Sequence, residues 1–133
     1  MRKILILQGG YNEEHKVSLN TSKEVKNSLI KLKIKFKVLT VNPTTFANDI
    51  LKYSNDHICF NALHGTFGED GKIQKILKSK KFKVTHSNNI SSNNCFDKVK
   101  SKKIINRYKI ATPKSYVVKI KDINEKYLNK IQI

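Results

Sequence analysis

The sequence predicts an α/β fold built on a mainly parallel sheet, and two observations carry that expectation. Short apolar runs alternate with stretches of helical periodicity, the pattern of successive βαβ units. The first run, residues 3–7, and the third, residues 57–63, are apolar enough for strands covered on both faces. The 133 residues amount to one domain, with room for the beginning of a second.

The elements follow in order. Residues 3–7 form the first strand, ended by Gly9-Gly10. Ser18, Ser22, Val25, Leu29 and Leu32, spaced 4-3-4-3, give one face of a helix. Residues 36–41 make the second strand, stopped by Asn42-Pro43, and a short helix covers 46–53. Residues 57–63 make the third strand, followed by the turn-rich segment from His64 to Gly71. Ile73, Ile76 and Leu77 mark the inner face of the next helix, with Asp70 placed to cap its start. Residues 82–85 form a short fourth strand, and the polar stretch 87–95 a short helix. Ser101, Ile104, Ile105 and Tyr108 share one face of a helix that starts near Asp97. Thr112-Pro113 breaks the chain, and residues 116–120 begin another strand.

Composition excludes several classes of function. No apolar run approaches the roughly 20 residues that span a bilayer, and Gln8-Gly9-Gly10 cuts the opening apolar run too short for a signal peptide. The expected location is the cytoplasm. Cys59 and Cys95 lack metal-type spacing, and Cys59, between Ile58 and Phe60, reads as a buried reduced thiol. The net charge of +17 comes from 27 basic and 10 acidic side chains, yet only Arg2 and Arg107 are arginine. Base reading calls for arginine forks and interleaved aromatics, whereas these lysines are scattered over every element. They describe a solvated surface that also attracts anionic ligands, and no specific nucleic-acid partner is expected.

Two loops leave the carboxyl ends of strands, where ligands sit in doubly wound folds. One carries Gly9-Gly10-Tyr11-Asn12-Glu13-Glu14-His15 and lacks the G-x-G-x-x-G spacing of a dinucleotide site. The other runs from His64 to Gly71 and only imitates a phosphate-binding loop. Gly71-Lys72 lies one residue too far from Gly65, Ile73 stands where Ser or Thr is needed, and Glu69 and Asp70 repel phosphate. Glu14 can receive a substrate ammonium through a charge-assisted hydrogen bond, or serve only as a charge at a helix start. His64 can donate to a substrate carboxylate or orient a neighbouring one, or serve only as a turn residue. His57 and His86 complete no metal-ligand set and no catalytic triad.

Three motifs now stand together. They are Gly9-Gly10-x-x-x-Glu14-His15-x-Val17-Ser18-Leu19; Ala62-Leu63-His64-Gly65-x-x-Gly68-Glu69-Asp70-Gly71-x-Ile73-Gln74; and Asp97-Lys98-x-x-x-Lys102 with Thr112-Pro113. In order and spacing they strongly resemble the D-alanine–D-alanine ligase family over nearly the whole chain. The resemblance implies a three-layer α/β/α, Rossmann-like pre-ATP-grasp domain over residues 1–112, with 113–133 beginning the central ATP-grasp domain. It implies that Glu14 helps bind the first D-alanine, that His64 lies near that substrate, and that Ser18, which starts the helix behind the substrate loop, belongs with them as a substrate-binding residue. Lys98 matches the lysine that contacts ATP phosphates. The implied cofactors are ATP and Mg²⁺, with the Mg²⁺ ligands outside this chain, and family members are usually homodimers.

Two departures stand out. Asn12 occupies a position where serine is usual, and Thr85-His86-Ser87 replaces a Thr-Gly-Ser turn, putting a side chain where glycine is normal. Family members run to more than twice this length, and the remaining phosphoryl-transfer groups lie beyond residue 133. The resulting expectation is an amino-terminal ligase portion, inactive alone, serving peptidoglycan-precursor synthesis. The alternative is a stand-alone small-molecule-binding domain of the same fold that has lost catalysis.

Overall fold

The structure is a computed structural model that describes residues 3–119, 121 and 123. The chain divides into two compact units, residues 1–98 and 99–133. The first holds a four-stranded sheet of order β2-β1-β3-β4, formed by β1 (Lys3–Gly9), β2 (Phe36–Val41), β3 (His57–Asn61) and β4 (Lys83–Val84). Every pairing is parallel, with Leu5 opposite Lys37 on one side and opposite Cys59 on the other. The helices are α1 (His15–Lys31), α2 (Phe46–Asp49, continued by a 3₁₀ turn Ile50–Lys52), α3 (Lys72–Ser79) and α4 (Asn89–Phe96). No helix among the described residues is long and apolar enough to cross a membrane.

Alternation along β1 separates two faces. Leu5 and Leu7 join Val41, Phe46, Ile50, Cys59, Leu63, Ile73, Leu77 and Phe82 in the main core, under α2 and α3. Ile6 and Gln8 face the other way, towards α1, and Ser22 of α1 donates its hydroxyl to Gln8 Oε1 at 2.6 Å. Helices therefore cover both sides of the sheet, the three-layer arrangement expected from the resemblance.

Several boundaries differ from the sequence reading. β1 runs two residues further than expected, because Gln8 and Gly9 still pair with Thr40 and Val41. On α1, Ser18 and Ser22 are fully buried while Leu32, expected on the same face, is 66% exposed. The two serines bring the helix close to β1 and satisfy their hydroxyls there; Leu32 lies past that contact, as the helix cap. The cap of α3 is Gly71 at φ +90°, not Asp70. Asp70 stands one residue earlier and reaches forward, its Oδ1 accepting from Lys72 N at 3.0 Å.

All but the first residue of α5 (Lys98–Arg107) belongs to the second unit, with Ser101, Ile104 and Ile105 half-buried. Lys102 Nζ donates to the Pro113 carbonyl. Residues 116–119 form no strand, contrary to expectation. An extended segment needs a neighbour to accept its backbone hydrogen bonds, and no described strand pairs there. Ile120, the end of that expected strand, lies outside the described residues.

Three helices end alike. After α1, α3 and α5 a lysine (Lys33, Lys81, Lys109) takes φ of 54–61°, the left-handed conformation that glycine adopts most cheaply. The next residue's N–H then closes onto Leu29, Leu77 or Ile105, at 2.9, 2.9 and 3.4 Å. Relief of left-handed strain, less the greater freedom of an unfolded glycine, predicts that Lys33→Gly stabilises the chain by about 0.5–1 kcal/mol in denaturant unfolding.

A second expectation concerns the thiols. Burial pushes the Cys59 thiol up to about 12, whereas Cys95 is exposed. Because the thiolate is the reactive form, a thiolate-selective reagent at pH 8 should label Cys95 alone in the native chain and both cysteines in denaturant, as read by mass spectrometry.

Candidate functional site

β1 and β3 are adjacent and parallel, so their carboxyl ends deliver two loops side by side: residues 10–14 leading to α1, and residues 62–71 leading to α3. The first loop turns through Gly9 and Gly10, both at positive φ (93° and 83°). It is held from behind. Ser18 Oγ, fully buried, accepts from Gly9 N at 2.8 Å, and His15 Nδ1 donates to the Gly10 carbonyl at 2.6 Å.

Asn12 ties the two loops together. Its Nδ2 donates to the His64 carbonyl at 2.7 Å and the Thr66 carbonyl at 3.3 Å, while its Oδ1 accepts from Glu14 N at 3.1 Å. Glu14 is thereby set against the second loop. A Cβ added at Gly65 would lie 2.1 Å from Glu14 Oε2, so that carboxylate occupies space that only glycine leaves open. Gly65 also donates its N–H to Glu69 Oε2 at 2.9 Å. Two carboxylates, Glu14 and Glu69, thus meet at one glycine, and no lysine or arginine pairs with either among the described residues.

His64 is fixed from two sides. Its Nε2 lies 2.9 Å from Thr21 Oγ1 on α1, and its Nδ1 faces Glu69 Oε1 at 3.9 Å. The loop's base is pinned independently. Asn61 Nδ2 and Gln74 Nε2 both donate to the Gly68 carbonyl, at 2.8 and 2.9 Å. Phe67 accepts a positive φ of 73° and sends its ring edge-on against Phe46, centroids 5.8 Å apart, anchoring the loop in the main core. Gly68 is required because a Cβ would lie 2.5 Å from that of Leu63. Burial alone would raise the Asp70 carboxyl, but bonds from the Lys72 ammonium, the Lys72 N–H and the Phe67 N–H outweigh it and hold it below the usual carboxylate range.

Beside this loop lies a cleft of about 440 Å³ whose walls include His64, Glu69, Gln74, His86, Cys95 and Lys98. Lys98 is the one lysine among the described residues that line it. Gln74 Oε1 is fully buried without a hydrogen-bond partner among the described residues. His86, at the departure from the Thr-Gly-Ser turn, packs edge-on against Phe60 at 5.2 Å, and burial holds its imidazole below the usual histidine range. Among the described residues no three His, Cys, Asp or Glu side chains are grouped to hold a metal.

The structure therefore brings Glu14 to the glycine beside His64, puts His64 and Lys98 on one cleft, and places Ser18 behind the first loop as its anchor. Glu14 does not itself line the cleft. Sequence reasoning assigned no role to Asn12, Thr21 or Gln74. Thr21 follows Ser18 by three residues on a helix, a spacing that puts both on one face, but nothing local distinguishes it from a solvated threonine.

No protein-family model matches the chain. The chain is 48% identical over 114 residues to the D-alanine–D-alanine ligase of Pelagibacter ubique, covering 85% of this chain and 36% of that protein. It is 40% identical over 120 residues to the D-alanine–D-alanine ligase of the Wolbachia of Brugia malayi, covering 90% and 35%. Among solved structures, the D-alanine–D-alanine ligase of Bacillus anthracis complexed with ATP matches with a TM-score of 0.77 at 34% identity, over 99% of this chain and 43% of that one. The ligase of Coxiella burnetii shares the fold at a TM-score of 0.77 and 22% identity. The chain spans a little over a third of the length of the curated relatives it matches. Sequence and fold together place this chain in the D-alanine–D-alanine ligase family, as the counterpart of the amino-terminal portion of its members.

Proposed function

We propose that this chain is the substrate-binding portion of a cytoplasmic D-alanine–D-alanine ligase that joins two D-alanines at the expense of ATP for peptidoglycan-precursor synthesis. Residues 1–112 form the substrate-binding domain, and 113–133 begin the ATP-grasp domain. The observation that carries the reading is the meeting of the Glu14 and Glu69 carboxylates at Gly65, with no lysine or arginine paired to either among the described residues. Two carboxylates at one point, so unpaired, favour a cationic group beside them, and the ammonium of an amino acid is one.

Each residue then has a task. Glu14 accepts from the ammonium of the first D-alanine. His64, held by Thr21 and oriented by Glu69, faces the same substrate. Ser18 acts through Gly9, fixing the turn that presents Glu14. Lys98, across the cleft, offers a point charge to an ATP phosphate. Bound Mg²⁺ would neutralise charge on the phosphates during transfer to the substrate carboxylate; its ligands belong to the ATP-grasp part, and none is assigned here. The second D-alanine amine displaces that phosphate, forming the peptide bond.

A chimera tests this. The chain replaces the matching amino-terminal segment of the Pelagibacter ubique ligase, and the fusion is assayed for ATP-dependent ligation. Activity is expected, and Glu14→Gln should raise the apparent constant for the first D-alanine. Gln keeps the shape but removes a charge-assisted hydrogen bond, about 1.5–3 kcal/mol, hence roughly a ten- to hundredfold rise with the ATP constant nearly unchanged. A lower melting temperature with unchanged substrate constants would instead make Glu14 only a helix-terminal charge.

Gly65→Ala should act on the same site by a different route. The new Cβ displaces the Glu14 carboxylate and strains a residue at φ +66°. The expected outcome is a loss of about 1–2 kcal/mol of stability together with the same selective rise in the first D-alanine constant, measured by melts and steady-state kinetics on one preparation.

A further inference from the structure

We propose a second ligand site at the opposite end of the sheet, where the amino ends of β1, β2 and β3 form a receptor for a small phosphate monoester carrying an apolar body. A cleft of about 400 Å³ opens there, lined by Lys3, Ile34, Lys35, Phe36, Lys37 and His57. No acidic side chain lines it, and none of its three lysines makes an ion pair among the described residues.

The strand register concentrates this charge. Lys3 lies opposite His57, and Lys37 opposite Leu5, so Lys3, Lys37 and His57 project from the same face of the sheet. Lys37 Nζ sits 5.8 Å over the Tyr53 ring, and Tyr53 packs edge-on against His57 at 6.4 Å, which directs the lysine towards the histidine. His57 separates this place from the lysine-rich surface elsewhere. It is only 5% exposed, and its Nδ1–H donates to the Ser54 carbonyl at 2.8 Å. Nε2 is left over. Among the described residues Nε2 is not one of the side-chain polar atoms sealed away without a partner, and His57 lines the cleft, which leaves Nε2 as its available ring nitrogen.

Those features define the ligand. Lysine ammoniums act as point charges for an anion. Nε2 accepts from a P–O–H group when the ring is neutral, or donates to a phosphate oxygen when the ring is protonated. Ile34 and Phe36 also line the cleft; Phe36 pairs with Ile4 and so projects from the other face of the sheet than Lys37, giving the end of the sheet an apolar side that inorganic phosphate cannot use. The site lies across the sheet's full length from Glu14 and His64 and does not depend on the ligase reading.

The test is an NMR titration of the whole chain with phenyl phosphate, following the four histidine rings. The expected result is a saturable shift of the His57 ring, with roughly tenfold weaker binding of inorganic phosphate, which has no apolar group to bury against Ile34 and Phe36. Lys37→Glu and, separately, Lys3→Glu should each weaken phenyl phosphate about tenfold. Lys75→Glu on α3, which changes net charge equally, should leave the constant within about twofold. Equal affinity for inorganic phosphate, an equal loss in Lys75→Glu, or shifts confined to His64 and His86 would overturn the proposal.

Discussion

Parallel pairing of β1 with β2 on one side and β3 on the other buries Leu5, Ile6 and Leu7 completely. A central parallel strand has no solvent face, so both its side-chain rows must be apolar or internally satisfied. That constraint fixes much else. It forces helices onto both faces of the sheet. It also sends the chain out of β1 and β3 at the same end, because parallel neighbours share a direction. The two loops that carry Glu14 and His64 are neighbours for this reason alone.

Their closeness then has to be made tolerable. Two irregular loops packed together bury backbone polar groups that no ladder satisfies. Side-chain amides take over: Asn12 serves the carbonyls of His64 and Thr66, and Asn61 and Gln74 serve that of Gly68. Gly65 and Gly68 remove the Cβ atoms that would collide with Glu14 and Leu63. The geometry at Glu14 is therefore held by groups that touch no substrate in the proposed reading. Asn12 adds a cross-link at a position where serine, with its single short oxygen, is usual in the family.

Net charge and local charge tell different stories. The overall balance of +17 describes a surface crowded with lysine, yet the loops at the sheet's carboxyl end bring two carboxylates to one glycine. The amino end gathers lysines around a buried histidine instead. The two ends of one small sheet thus gather different charged groups, and composition alone averages the two away.

The sequence by itself determined the order of strands and helices, the parallel sheet and the loops that matter. Apolar runs at residues 3–7 and 57–63 and helical spacing from Ser18 onward are local signals with strong periodicity. Boundaries were less legible. Gly9 continues β1 because it pairs with Val41, a long-range partner invisible to a local window. The helix stops were hidden because lysines, not glycines, take the left-handed position after α1, α3 and α5. Glu14 and His64 could be singled out as residue types at strand ends, and the motifs pointed to one family. Only the tertiary structure decided that Glu14 and Glu69 meet at Gly65, that Thr21 holds His64, that Asn12 joins the loops, and that His57 opens onto a lysine-lined cleft. Each is a contact between elements distant in the chain, fixed to within an ångström by strand register and side-chain packing, and no pattern along the sequence encodes distances of that kind.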